Sequence, residues 1–275
     1  MIWTEGRIVA DGSLAIATAD RALEHGLGLF ETLRTRNGHP ALLDRHLDRL
    51  RRSAETLHLP LDPARLPDAG AVAALLRESR VEGEARLRIT ATGGVSASAG
   101  STVWMRCDPL SADAAMTGAV LVPAPWPIVF DDPLARHKSL NYWSRRLAFE
   151  AARERGADEA LFSTPDGRIW EGSRTNLFLI RQETLWTPGL EGPIVPGIMR
   201  GLVLELAPAL GLAIREGDLS GHNLEQAEEV FLTNAVRGII PVARAADRVF
   251  EAPGPWTRRL RDATLERLER EGGRT

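Results

Sequence analysis

The chain has 275 residues, 44% of them hydrophobic, with 34 Lys plus Arg set against 37 Asp plus Glu. That length can bury one large domain or two smaller ones, while a net charge of −3 and a pI near 6.1 exclude a basic surface built for nucleic acid or an anionic membrane. No apolar run is long enough for a membrane span, the N-terminus Met1-Ile2-Trp3-Thr4-Glu5 lacks the flank and core of a signal peptide, and one cysteine, Cys107, fits a reducing, cytoplasmic compartment.

In chain order, residues 30–35 read as a strand and Asn37-Gly38 as a hairpin turn. Leu47, Leu50, Ala54 and Leu57 recur at helical spacing across 44–57, a second helix is expected around 71–78, and 86–92 alternates with the period of a half-buried strand. Residues 108–135 are richer in Pro, Ala and Asp, so a domain connection is placed at 111–117, between an N-terminal domain 1–112 and a C-terminal domain 118–275. The second half reads as a helix (143–154), a strand pair (159–162 and 169–170), a strand (175–180), a turn with a short strand, and a helix (199–210). An apolar strand (230–233) and an amphipathic helix (256–270) follow. Strands and helices mix without strict alternation, which makes the class α+β (mixed α/β) rather than a doubly wound sheet.

Lys138 is the only lysine and Tyr142 the only tyrosine, four residues apart in Arg136-His137-Lys138-Ser139-Leu140-Asn141-Tyr142. Arginine cannot replace lysine where chemistry needs a deprotonable, nucleophilic amine; replacement of surface Lys by Arg throughout the chain explains the same count. A lysine nucleophile condenses with a carbonyl, and pyridoxal 5′-phosphate (PLP) is the commonest protein-bound partner of that kind. Such a site needs a carboxylate for the pyridine nitrogen, a cation and backbone N–H groups for the phosphate, and a partner for the ring hydroxyl. Glu171, before the turn Gly172-Ser173, is either that carboxylate or an ordinary hairpin residue. Val195-Pro196-Gly197-Ile198-Met199 opens a helix that suits a phosphate or merely starts there. Arg49, among four arginines between 45 and 52, is either a phosphate ligand or part of a solvated helix face, and Thr233-Asn234-Ala235 either binds phosphate or turns the chain.

Taken together, Phe30-Glu31-Thr32-Leu33-Arg34, His46-Leu47-Asp48-Arg49-Leu50, Lys138-Ser139-Leu140-Asn141-Tyr142, Asp158-Glu159-Ala160-Leu161, Glu171-Gly172-Ser173 with Asn176-Leu177-Phe178, Pro196-Gly197-Ile198 and Glu229-Val230-Phe231-Leu232-Thr233-Asn234 resemble the class IV aminotransferases, in the family's order. The resemblance covers residues from about 5 to 245. It implies the two-domain architecture of fold type IV PLP enzymes, with the Schiff-base lysine, Lys138, in the C-terminal cofactor-binding domain. It also implies PLP as cofactor, no metal, and a homodimer. Lys138 then also shuttles the substrate proton, Glu171 faces the pyridine nitrogen and Arg49 holds the phosphate. Gly197, Ile198 and Met199 bind it through the backbone, Asn234 and Ala235 line its other side, and Tyr142 lies near the ring hydroxyl.

The family leaves several reactions open. Phe30-Glu31-Thr32 departs from the Phe-Glu-Gly common in branched-chain enzymes, and Thr32, Gly197-Ile198-Met199-Arg200 and Thr233-Asn234-Ala235 lean towards aminodeoxychorismate lyases. Residues 92–100, however, carry no cation where lyases and D-amino-acid enzymes usually hold an Arg-Gly. A substrate carboxylate must then be met by Arg34, Arg88, Arg174 or Arg237, beside Phe30 and Thr32. The first reading is an aminotransferase acting between an amino acid or amine and a 2-oxo acid; the alternatives are a lyase making 4-aminobenzoate and pyruvate, and a catalytically inactive binding or scaffold member.

Overall fold

The computed structural model describes residues 1–10, 12–110 and 118–272. The described residues form two compact units. The first gathers the chain through Leu110, the segment His137–Tyr142 and the residues from Leu268; the second gathers Gly118 to Arg136 and Trp143–Arg267. The connection expected at 111–117 lies outside the described residues. His137–Tyr142, with Lys138, groups with the N-terminal unit and not with the chain on either side of it.

The first unit holds the strands β1 (Ile2–Thr4), β2 (Arg7–Val9), β3 (Gly28–Arg36), β4 (His39–Pro40), β5 (Ala85–Thr92) and β6 (Val103–Pro109), with helices α1 (Arg21–His25), α2 (Leu43–Thr56) and α3 (Ala69–Glu78). The strands make one six-stranded sheet in the order β2-β1-β6-β5-β3-β4. Alternation along the strands sends Leu33, Leu87, Ile89 and Met105 to one face, where they pack on Leu47, Leu50 and Ala54 of α2 and Val72, Leu75 and Leu76 of α3. On the opposite face the antiparallel register sets Phe30 beside Thr90 and Thr32 beside Arg88, which itself lies beside Arg106. α3 is capped by Asp68, whose Oδ1 accepts from Ala71 N at 2.7 Å.

The second unit holds β7 (Ala119–Pro123), β8 (Glu159–Ser163), β9 (Arg168–Gly172), β10 (Asn176–Arg181), β11 (Thr184–Thr187), β12 (Ala213–Glu216), β13 (Leu219–Ser220), β14 (Glu229–Asn234), β15 (Gly238–Ala245) and β16 (Arg248–Val249). Its helices are α4 (Trp143–Glu154), α5 (Ile198–Leu206), α6 (Gly221–Glu225) and α7 (Pro255–Gly272). These strands form one mixed sheet, with β7 running parallel to both β15 and β8. Both faces are covered. Leu177, Leu179, Val230 and Leu232 pack with Leu219 and Leu224, while Phe178, Ile180 and Phe231 pack with Val203 of α5 and Leu260 of α7.

Two strands lie where no element was expected, and one helix ends earlier than expected. β7 lies in the Pro-rich stretch 108–135, beyond the connection expected at 111–117, and its prolines fall at and beyond the strand end, at Pro123, Pro125 and Pro127. β15 carries Pro241 within the strand, a position that argues against a strand in sequence but that lies opposite Phe231 here. The helix expected over 199–210 ends at Leu206, and Pro208, which cannot donate to the ladder, starts a 3₁₀ turn.

Candidate active site

In the first unit, Lys138 is held by strand-like pairing onto the start of β3. Phe30 N donates to Lys138 O at 2.8 Å, Leu140 N donates to Gly28 O at 2.9 Å, and Leu29 bridges Ser139. Two glycines make this approach possible. A Cβ on Gly28 would lie 2.5 Å from Leu140 Cδ1 and 2.8 Å from Ala91 O, and one on Gly26, at φ +70°, would lie 2.6 Å from Asn141 Oδ1. The Lys138 Nζ lies 4.4 Å from the centroid of the Phe30 ring and 5.5 Å from that of Tyr142. The two rings meet edge to face at 5.2 Å.

Arg88 stacks on the same Phe30 ring, its guanidinium carbon 3.8 Å from the centroid. Among the described residues it has no carboxylate partner. Burial, then the neighbouring Arg106 charge, lowers its proton affinity, with the Tyr142 side chain acting the other way. It remains a cation, since guanidinium is protonated throughout the accessible pH range. Arg34, by contrast, is buried in an ion pair with Glu84. Thr32, half-buried, lies beside Arg88 on β3.

Arg49 is not a solvated helix face. It is buried, with Nε donating to Glu31 Oε1 at 2.8 Å and Nη2 to Glu31 Oε2 at 2.5 Å. The His46 Nδ1 lies 2.6 Å from Glu31 Oε2. Burial pushes the Glu31 carboxyl up, but the Arg49 charge and the hydrogen bonds of His46 and Arg49 overcome it and hold it at about 2. Burial also lowers His46, with Arg49 and Lys138 adding to that effect and Glu31 opposing it. An ionised carboxylate only accepts, so the His46 Nδ1 is the donor in this pair. This Glu31–His46–Arg49 cluster was not visible from sequence spacing.

In the second unit, one row across three strands sets Glu171 of β9 beside Asn176 of β10 and Asn176 beside Thr233 of β14. Glu171 is buried. Its Oε2 accepts from Asn176 Nδ2 and from Val195 N, each at 3.1 Å, and its Oε1 lies 2.6 Å from Arg145 Nη2. The turn after Glu171 is tied down by a second buried carboxylate, Glu159, which accepts from Ser173 N at 3.0 Å and Thr175 Oγ1 at 3.2 Å.

Asn176 Nδ2 also donates to Val195 O at 2.9 Å, which fixes the entry to α5. A Cβ at Gly197 would lie 1.9 Å from Asn176 Oδ1, so only glycine fits there. Gly197 caps α5 and has no side chain to cap the first-turn N–H groups of Ile198 and Met199. Thr233 Oγ1 is buried and has no hydrogen-bond partner among the described residues. Asn234 Oδ1 accepts from Val236 N at 3.1 Å and Arg237 N at 2.8 Å, with Ala235 half-buried between them.

Arg237 and Arg174 are exposed, the latter lying 3.4 Å from the Phe149 ring centroid. A cavity of about 690 Å³ lined by Trp3, Glu5, Ile8, Arg65 and Asp68 contains none of the residues singled out from sequence.

Comparison with known proteins adds an independent line. The family model described as "Amino-transferase class IV" matches residues 28–245. A putative branched-chain-amino-acid aminotransferase of Methanocaldococcus jannaschii is 28% identical, over 95% of this chain and 94% of that protein. Among solved structures, 4-amino-4-deoxychorismate lyase from Pseudomonas aeruginosa is 32% identical with a TM-score of 0.83, covering 98% of this chain and 100% of that one. The T.th. branched-chain amino acid aminotransferase, complexed with N-(5'-phosphopyridoxyl)-L-glutamate, is 26% identical with a TM-score of 0.85, covering 97% and 93%.

Proposed function

The chain belongs to the class IV aminotransferase family, whose members are PLP-dependent enzymes, and from that premise we propose an aminotransferase that moves an amino group between an amino acid or amine and a 2-oxo acid at Lys138. The observation that carries the reading is the docking of the one lysine onto β3, with its amine 4.4 Å from the ring centroid of Phe30 and 5.5 Å from that of Tyr142.

The residues present fit PLP. Lys138 Nζ would hold it covalently, Tyr142 would meet its ring hydroxyl, and Glu171 would face its pyridine nitrogen. Arg49, the N–H groups following Gly197 at Ile198 and Met199, and the backbone at Asn234 and Ala235 would take its phosphate. Thr233 Oγ1, a buried hydroxyl lacking a partner among the described residues, suits the same anion. When bound, PLP supplies an electron sink for charge developing at the substrate α-carbon.

The chain's own part is proton and charge management. Lys138 Nζ would be the base that moves the α-carbon proton. Glu31 holds the Arg49 guanidinium in one orientation. Arg88 would take the substrate carboxylate in two parallel hydrogen bonds beside Phe30 and Thr32. Arg34 is less suited to that task because Glu84 engages it, and Arg174 and Arg237 are exposed.

A second reading, lysis of 4-amino-4-deoxychorismate to 4-aminobenzoate and pyruvate, is supported by the likeness to the Pseudomonas lyase. The reading also carries a homodimer and a cytoplasmic location as proposals, the latter supported by the single free Cys107.

The deciding experiment reduces the holoenzyme with borohydride and maps the label, then assays L- and D-amino acids, amines and aminodeoxychorismate with and without a 2-oxo acid. The expected outcome is label on Lys138 and turnover that requires the acceptor. Pyruvate release without any acceptor would overturn aminotransfer in favour of the lyase, and an unlabelled Lys138 would overturn both.

A further inference from the structure

Glu171 is gripped at both oxygens, and one grip is ionic. Arg145, on the first turn of α4, brings Nη2 to 2.6 Å from Glu171 Oε1, with only 11% and 3% of the two side chains exposed. Its Nη1 also donates to Gly172 O at 3.4 Å, so the planar guanidinium spans the carboxylate and the backbone of the following turn. Two donors at the other oxygen, Asn176 Nδ2 and Val195 N, are neutral. Neutral donors orient a buried carboxylate but leave its charge uncompensated, whereas a cation in contact offsets the cost of desolvation.

We propose that Arg145 is a positioning residue for the pyridine end of the cofactor: it clamps Glu171 Oε1 and stabilises the carboxylate as the anion presented to the ring nitrogen. This rests on the reading of Glu171 as the partner of that nitrogen. Arg145 would act on the ring nitrogen through Glu171. Truncating it should therefore weaken recognition of the nitrogen and leave the phosphate contacts intact.

The test compares the affinities of the cofactor-free, full-length chain for PLP and for 1-deazapyridoxal 5′-phosphate, in which a C–H replaces the ring nitrogen. The parent is expected to prefer PLP, and Glu171→Gln to lose that preference. Arg145→Gln is expected to reduce the preference at least about tenfold, the size of one charge-assisted hydrogen bond. General loosening of the fold would lower both affinities together and leave their ratio unchanged. Arg145→Met, which keeps an unbranched stem and removes the guanidinium that lies 5.7 Å from the Phe162 ring centroid, is read by the same ratio should the Gln variant not fold. A parent-like ratio in the Arg145 variant with a lost preference in Glu171→Gln overturns the role of Arg145. A preference kept in both variants overturns the reading of Glu171 itself.

Discussion

Arg49 shows why residue type alone could not settle its role. In sequence it is one of four arginines between 45 and 52, a pattern that usually marks a wet helix face. Its distinction comes from Glu31 on a neighbouring strand, which is buried, binds the guanidinium through two hydrogen bonds and also takes the His46 Nδ1. Because the folded Glu31 carboxyl sits at about 2, below its ordinary 4.5, its charge stabilises the native state fully above pH ~4.5. That contribution fades as the pH falls from there through about 2. The shift corresponds to roughly 3 kcal/mol. Glu31→Gln should therefore lower the urea midpoint at pH 6, with the gap from the parent narrowing as the pH approaches 2.5, as followed by urea melts at each pH. A gap independent of pH would remove the ionic account of this cluster.

At the scale of elements, the lysine segment owes its position to β3. Residues 138–140 carry no helical or strand period of their own, yet they pair with Gly28–Phe30 because two glycines leave room for them. Gly28→Ala sets a Cβ 2.8 Å from the backbone Ala91 O, which cannot rotate away. The expected result is a loss of roughly 1–3 kcal/mol in stability. The Leu140 amide, which donates to Gly28 O, should also lose hydrogen-exchange protection. Full protection at Leu140 in that variant would mean the glycine is dispensable. The same scale explains which elements were legible. α2, β5 and β10 announce themselves by apolar period, whereas β15 contains Pro241 and β7 sits in a Pro-rich stretch, so their strand character depends on neighbours that sequence does not name.

For the whole molecule, family membership makes PLP the cofactor. A ligand that binds the native state and not the unfolded chain raises stability by about 2.7 kcal/mol at a free concentration one hundred times its Kd. Titrating PLP into the cofactor-free chain should shift the calorimetric unfolding transition upward accordingly, and Lys138→Ala should diminish the shift. A transition that does not respond to PLP would count against cofactor binding. Among the described residues no helix is long and apolar enough to cross a membrane.

The sequence by itself determined the chemistry available: one lysine, a carboxylate before a glycine turn, a Pro-Gly helix start, and the order of motifs that identifies the family. It also determined the α+β class, because apolar period is a local property of the chain. Only the tertiary structure decided which charges are engaged. Arg49 meets Glu31, Arg34 meets Glu84 and Arg145 meets Glu171, while Arg88 keeps an aromatic neighbour and no carboxylate partner among the described residues. These pairings join residues 18 to 50 positions apart. Sheet register and helix docking set such distances, and an ion pair depends on distance and burial, neither of which sequence spacing contains.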